Sequence, residues 1–231
     1  MLRTDHLAQV DRRPPVVETP LGTVEFSVTL DSEELPADPD TVWRLTNGSQ
    51  LYRWRHRSAT VDLLFGSVCV PLWDSDVPVI TWAAIWQVQA HGRLSGLSVS
   101  AELTDVPADA WAGPDSGECL AAVSAENDDF MVSIGGPDYE LLAEQAAHGR
   151  LVPARWKDLL PKDGESATEY GARYTDPARI TWQLPGLAAA ETPRLCIATA
   201  WCHRNDDHPA AWFAVDLPVD TAYQHLIADP A

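Results

Sequence analysis

Val79-Ile-Thr-Trp-Ala-Ala-Ile-Trp-Gln-Val-Gln-Ala-His91 is the stretch that decides the fold class. Ile80, Trp82, Ala84, Trp86, Val88 and Ala90 recur at every second position and make one unbroken apolar face. That is the period of a β-strand, not of a helix. The alternate positions begin apolar at Val79 and turn polar at Gln87, Gln89 and His91. One end of this strand is therefore expected to be covered on both sides, and the other to meet solvent.

The same period extends in both directions. Downstream, Gly92 marks a turn, and Leu97, Val99, Ala101 and Leu103 alternate with Ser98, Ser100 and Glu102. Upstream, residues 60–72 are apolar on both faces and rich in β-branched side chains, as expected of a central strand with Gly66 as a bulge. Before them, Tyr52, Trp54 and His56 alternate with Arg53, Arg55 and Arg57, and Val24, Phe26, Val28 and Leu30 alternate with Glu25, Ser27 and Thr29. Short turns between such segments predict an antiparallel meander. Asp40 is placed to cap a short helix through Leu45, ahead of a turn at Asn47-Gly48.

Beyond residue 104 the pattern is more mixed. Strands are expected near Cys119–Ser124 and Phe130–Ile134. Asp138 is a suitable N-cap for a helix over Tyr139–His148, with Gly149 as its stop. Tyr139, Leu142, Ala143 and Ala146 fall on one face of that helix. Residues 161–177 read as a long polar loop. Strands at Ala178–Leu184, Arg194–Cys202 and Ala211–Leu217 follow, and Val219–Ile227 closes the chain as a short helix. In the middle strand, Leu195, Ile197, Thr199 and Trp201 face one way and Cys196, Ala198, Ala200 and Cys202 the other. With no charge on those positions, it belongs in the centre of a sheet.

The expected class is mainly β, a β-rich α+β protein. Its architecture is an antiparallel meander, sandwich-like or a strongly curved sheet, with two or three short helices. Residues 1–20 are polar, carry Pro14, Pro15 and Pro20, and read as an arm. Residues 21–231 read as a single β-rich domain, with the Pro- and Gly-rich stretch 104–118 as a possible internal boundary. Asp76–Trp82 and Asp176–Trp182 share an Ile-Thr-Trp echo one hundred residues apart, as a duplicated unit or chance would produce.

Composition limits the function. Thirty-four acidic residues oppose 16 Lys and Arg, a formal charge of −18. Such a field repels phosphate backbones and disfavours nucleic-acid binding, while it suits solubility or a basic partner. The most apolar stretch, 77–90, is shorter than a membrane span requires, and residues 1–10 carry no apolar signal region. Cys69, Cys119, Cys196 and Cys202 are then expected as thiols of a reducing cytoplasm. Lys157 and Lys162 are the only lysines, a bias that points to a GC-rich bacterial source.

Two constellations stand out as candidate sites. Arg53, Arg55 and Arg57 recur at strand spacing, about 6.5–7 Å apart on one face. They would grip an external anion in bidentate fashion, or pair with acids on a neighbouring strand. The loop Cys202-His-Arg-Asn-Asp-Asp-His208 gathers Cys202, His203, Asp206, Asp207 and His208 at a sheet end. These are transition-metal ligand types, yet their spacing fits no zinc signature. A solvated hairpin loop is the reading the spacing favours. Trp54, Trp82, Trp86, Trp182, Trp201 and Trp212 fall within expected strands, as core or as the lining of a ligand cavity. Ile134-Gly-Gly-Pro-Asp138 is not a phosphate loop, because Pro137 removes an N–H and Asp138 places negative charge there. No GxSxG, HExxH, Walker or dinucleotide motif occurs.

No cofactor is expected. The sequence favours a non-enzymatic binding protein, such as an immunity or escort protein for a basic protein partner. The alternative is a small-molecule enzyme or metal- or ligand-binding protein that uses the 202–208 loop.

Overall fold

The computed structural model describes residues 8–10, 12–70, 79–161, 169–204 and 210–228. The strands are β1 (Ala8–Gln9), β2 (Val16–Thr19), β3 (Gly22–Leu30), β4 (Glu33–Glu34), β5 (Thr41–Arg44), β6 (Gln50–Arg55), β7 (Ala59–Val70), β8 (Val79–Ala90) and β9 (Leu94–Thr104). They continue as β10 (Trp111–Pro114), β11 (Leu120–Glu126), β12 (Phe130–Pro137), β13 (Gly171–Asp176), β14 (Arg179–Leu187) and β15 (Arg194–His203). The helices among the described residues are α1 (Tyr139–Ala147), α2 (Ala210–Val215) and α3 (Val219–Ile227), with a 3-10 turn at Ala154–Asp158.

These strands make two antiparallel sheets and no closed barrel. The larger sheet runs β1-β5-β6-β7-β8-β15-β12-β11-β10, and the smaller runs β13-β14-β9-β3-β2 with β4 on the edge of β3. The main core lies between them. Val61, Leu63, Ala84, Trp86, Val88 and Ile197 from the larger sheet meet Val24, Val28, Val99, Ile180 and Trp182 from the smaller. Phe26, Tyr52, Trp54, Phe65, Trp82 and Trp86 form a connected aromatic cluster there, with ring centroids 5.2 to 6.4 Å apart.

The outer face of the larger sheet has its own apolar layer. Leu64, Val68, Ala83, Ile85, Cys196, Ala198 and Ala200 lie under Ala211, Ala214 and Val215 of α2 and Val219, Ala222 and Leu226 of α3. Small side chains on both sides let the helices settle close to the strands. Gly66 shows how close, because a β-carbon there would stand 2.9 Å from Leu226 and 2.8 Å from Ser49 Oγ. The opposed faces of β15 thus divide as its sequence indicates: Leu195 and Ile197 enter the main core, while Cys196, Ala198 and Ala200 meet the helices.

Several expectations need correcting. Gly66 is no bulge, since β7 and β8 pair without a register break from Ala59↔Ala90 to Val70↔Val79. Residues 41–44 are strand, not helix, because they pair with β6 and Asp40 instead accepts from the backbone N–H of Arg55 at 2.5 Å. Ala211–Leu217 is not a strand. Residues 210–215 form α2, whose buried Ala210, Ala211, Ala214 and Val215 follow a helical spacing. Trp212 therefore lies on a helix. The turn after β8 does not continue the meander either, since β9 crosses to the smaller sheet and pairs with β3 and β14. The end of the polar arm forms β2, and residues 171–176 of the expected long loop form β13.

Helix α1 follows its sequence signals closely. Asp138 caps it by accepting from Leu141 N–H at 2.8 Å, Gly149 stands at φ +61° just beyond its end, and Leu142 and Ala146 are buried. No helix among the described residues is long and apolar enough to cross a membrane.

Candidate functional site

The arginine row is largely spent on internal contacts. The Arg53 guanidinium grips Asp62 with two hydrogen bonds, Nε to Oδ1 at 2.6 Å and a terminal nitrogen to Oδ2 at 2.7 Å. The pair holds the Arg53 pKa above its usual value through that hydrogen bond, against desolvation. Arg53 also stands over the Trp43 ring at 5.4 Å. Arg57 lies past the end of β6, in the turn, and reaches Glu33 at 3.3 Å. Arg55 is exposed on the strand's last position. The geometry thus favours the intramolecular reading for Arg53 and Arg57.

The Arg53 contact belongs to a longer ladder. Arg53, Asp62, Gln87 and Arg194 are successive cross-strand partners on β6, β7, β8 and β15. Arg194 Nε donates to Gln87 at 2.8 Å, and its guanidinium lies 5.3 Å from the Tyr223 ring. A polar line therefore crosses the outer face of the larger sheet beside α3.

At the other loop, Cys202 and His203 are neighbours on a strand and face opposite sides. Cys202 packs toward the α2–α3 layer, while the His203 ring lies 4.5 Å from Phe130. Asp206, Asp207 and His208 lie outside the described residues. No group of three or more His, Cys, Asp or Glu side chains among the described residues is placed to hold a metal ion.

A third local arrangement joins Ser58, His56 and Glu33. His56 Nδ1 lies 2.8 Å from Ser58 Oγ, and Nε2 lies 3.4 Å from Glu33. The Ser58 contact spans two residues of one tight turn, in which His56 and Ala59 exchange backbone hydrogen bonds. It closes that turn and faces none of the clefts described below.

The strongest candidate is a cleft that sequence reasoning missed. It has a volume of about 470 Å³ and lies between α1 and the corner joining α2 to α3. Its floor is apolar: Leu120 on β11, Gly136 and Pro137 on β12, Cys196 on β15, and Val215 and Val219 from the helices. Burial pushes the Cys196 thiol up to about 12, so it stays protonated and serves as wall. Leu141, Glu144 and Gln145 on α1 and His148 at its C-cap line one side. They sit at i, i+3, i+4 and i+7, a second face of the helix next to the one that enters the core.

The rim is acidic. Asp216 lies on one lip, exposed by area, and partial desolvation pushes its carboxyl above the usual carboxylate range. No described side chain pairs with it. Cys119, also on the rim, has its thiol pushed up by desolvation and then by the charges of Asp138, Glu140, Glu118 and Glu144. The smaller, charge-driven part of that shift comes from those four carboxylates near the mouth. Gln145 Oε1 is buried without a hydrogen-bond partner. The basic groups nearby are Arg150, which reaches Asp220 at 3.3 Å, and His148, whose Nδ1 lies 2.9 Å from the Glu144 carbonyl.

Two other concavities carry ion-paired cations of their own or polar walls. A trough of about 520 Å³ beside Gln87 and Arg194 is larger, yet its Arg194 is bonded to Gln87, and its Glu191 accepts from Arg155 at 2.8 Å. A cleft of about 260 Å³ at the edge of β3 carries Arg179, which pairs with Glu102 at 3.3 Å, although Arg179 Nε and Trp86 Nε1 are buried there without hydrogen-bond partners. Of these three, the α1 cleft is the one lined mainly by apolar surface, and its rim carboxylate Asp216 has no partner among the described residues.

No family model and no curated protein matches the chain. Among solved structures, it is similar to a chain described as "Putative kojibiose phosphorylase from human microbiome", at 7% identity and a TM-score of 0.47. The likeness covers 95% of this chain and 30% of that one, so this chain spans under a third of that protein's length.

Proposed function

We propose that this chain is a non-enzymatic binding protein that receives a basic protein partner, with the cleft between α1 and the α2–α3 corner as the anchor. The observation that carries the reading is the rim carboxylate of Asp216, which lines an apolar cleft whose one arginine, Arg150, is paired with Asp220 and not with it. An apolar floor rewards burial of aliphatic surface, and an acidic rim rewards positive charge at the mouth. A net charge of −18 steers a basic partner toward such a site. An immunity or escort protein would use a face of this kind.

Calorimetric titration with two peptides tests this, Leu-Lys-Leu-Lys-Leu and Leu-Glu-Leu-Glu-Leu. The basic peptide should bind, weaken as salt rises, and be lost in the double variant Glu144→Lys, Asp216→Lys. Equal binding of both peptides, or an unchanged affinity in the double variant, would refute the proposal.

A further inference from the structure

We infer that the group seated in this cleft is a primary ammonium at the end of an unbranched aliphatic chain, as on a lysine side chain of the partner. The inference rests on the reading above and narrows it to one chemical class. Three features converge. Leu120, Leu141, Val215 and Val219 make an apolar sleeve that suits a methylene chain. Asp216 and Glu144 hold negative charge at the mouth without cationic partners among the described residues. In the same lining, Gln145 is half-buried with an oxygen that no donor reaches.

A buried acceptor without a donor is costly, typically about 1–3 kcal/mol. The last torsion of a glutamine side chain is broad, so the amide can turn its oxygen toward a donor arriving in the cleft. The field at the mouth selects the charge of that donor. The placement of the acceptors selects its shape. Asp216 and Glu144 are exposed at the mouth, while the Gln145 oxygen is buried. A compact ammonium on a flexible stem has three N–H groups to share between a rim carboxylate and that oxygen. A guanidinium is a planar fork matched to both oxygens of one carboxylate, so it is held at the rim and leaves Gln145 without a donor. A neutral chain fills the sleeve and leaves Gln145 and Asp216 as they were.

Nα-acetyl-lysine amide, Nα-acetyl-norleucine amide and Nα-acetyl-arginine amide separate these cases. Each is titrated into the full chain while the backbone signals of Leu141, Gln145 and Val219 and the Gln145 side-chain amide are followed by nuclear magnetic resonance. The lysine derivative should shift these signals and bind at least about tenfold more tightly than the norleucine derivative, a difference of about 1.4 kcal/mol. It should also bind more tightly than the arginine derivative. Gln145→Leu should weaken the lysine derivative several-fold and leave the norleucine derivative unchanged. Asp216→Asn is a second variant with the same expected direction. Equal binding of lysine and norleucine, preference for arginine, or shifts elsewhere on the protein would overturn the inference. Retained binding of Leu-Lys-Leu-Lys-Leu without these shifts would reject the lysyl anchor and keep the basic-partner reading. Shifts without peptide binding would do the reverse.

Discussion

The indole of Trp182 rests against Gly136: a β-carbon on Gly136 would stand 2.7 Å from Cζ2 of Trp182 and 2.9 Å from the Cys196 carbonyl. The same indole donates its N–H to the Pro137 carbonyl at 2.8 Å. Trp182 belongs to the smaller sheet, while Gly136, Pro137 and Cys196 form the floor of the candidate cleft in the larger one. The floor is thus pinned from behind by the sandwich core.

Gly136→Ala should therefore destabilise the protein by about 1–3 kcal/mol, as overpacking of a tight core does. Trp182→Phe should cost a similar amount, because it leaves the Pro137 carbonyl without its donor. Chemical denaturation measures both. A Gly136→Ala variant as stable as the parent would show that the floor is not held in this way.

The cap of α1 separates two roles of one carboxylate. Asp138 accepts from Leu141, yet burial leads the effects on its pKa and pushes it up. Asp138→Ala loses the cap and should cost about 1 kcal/mol. Asp138→Asn keeps the acceptor and sheds the buried charge, so at pH 7 it should match or exceed the parent. Thermal unfolding of the two variants checks this, and equal losses in both would contradict it.

Arg53 and Arg55 should behave differently on replacement. Arg53→Ala breaks a bidentate pair whose side chains are 33% and 18% exposed and should cost about 1 kcal/mol, the upper end for solvent-screened pairs. Arg55→Glu, on an exposed position, should stay within about 0.5 kcal/mol. If inorganic phosphate binds neither the parent nor Arg55→Glu, the row has no anion-binding task. Phosphate binding by the parent that Arg55→Glu abolishes with folding intact would restore that task to it.

Asp216 ties stability to pH and to the ligand. Its folded pKa lies above the unfolded value near 3.9, so ionisation costs the folded state more than the unfolded one. Its contribution to stability is fullest below the unfolded pKa and is lost as pH rises through the folded one. Asp216→Asn carries no charge at any pH. From about pH 4 upward it should therefore be at least as stable as the parent, while it binds the basic peptide more weakly. A variant that is less stable than the parent at pH 7 would contradict this.

Much of the fold is legible in the sequence because β periodicity survives wherever one face is buried. β8, β9 and β15 show it, and the faces of β15 divide between two cores as their residues indicate. The connection from β8 to β9 is not legible, since a hairpin and a crossing between sheets begin with the same Gly92 turn. Residues 211–217 mislead because Ala, Trp, Phe and Val satisfy an alternating and a helical pattern alike over so short a run. The cleft was half legible. The 141, 144, 145 and 148 face of α1 can be read beside its 139, 142, 143 and 146 core face. Its other walls come from positions 119, 196 and 215–220, which meet only in the folded chain.

The central claim is that a basic ligand enters the cleft between α1 and the α2–α3 corner. Chemical-shift mapping of Leu-Lys-Leu-Lys-Leu at low salt tests it most directly. The account predicts that the largest shifts fall on Leu141, Gln145, Leu217 and Val219, and that they fade as salt is added. Shifts centred instead on the β3 edge, around Phe26 and Trp54, or on Arg194 would contradict it.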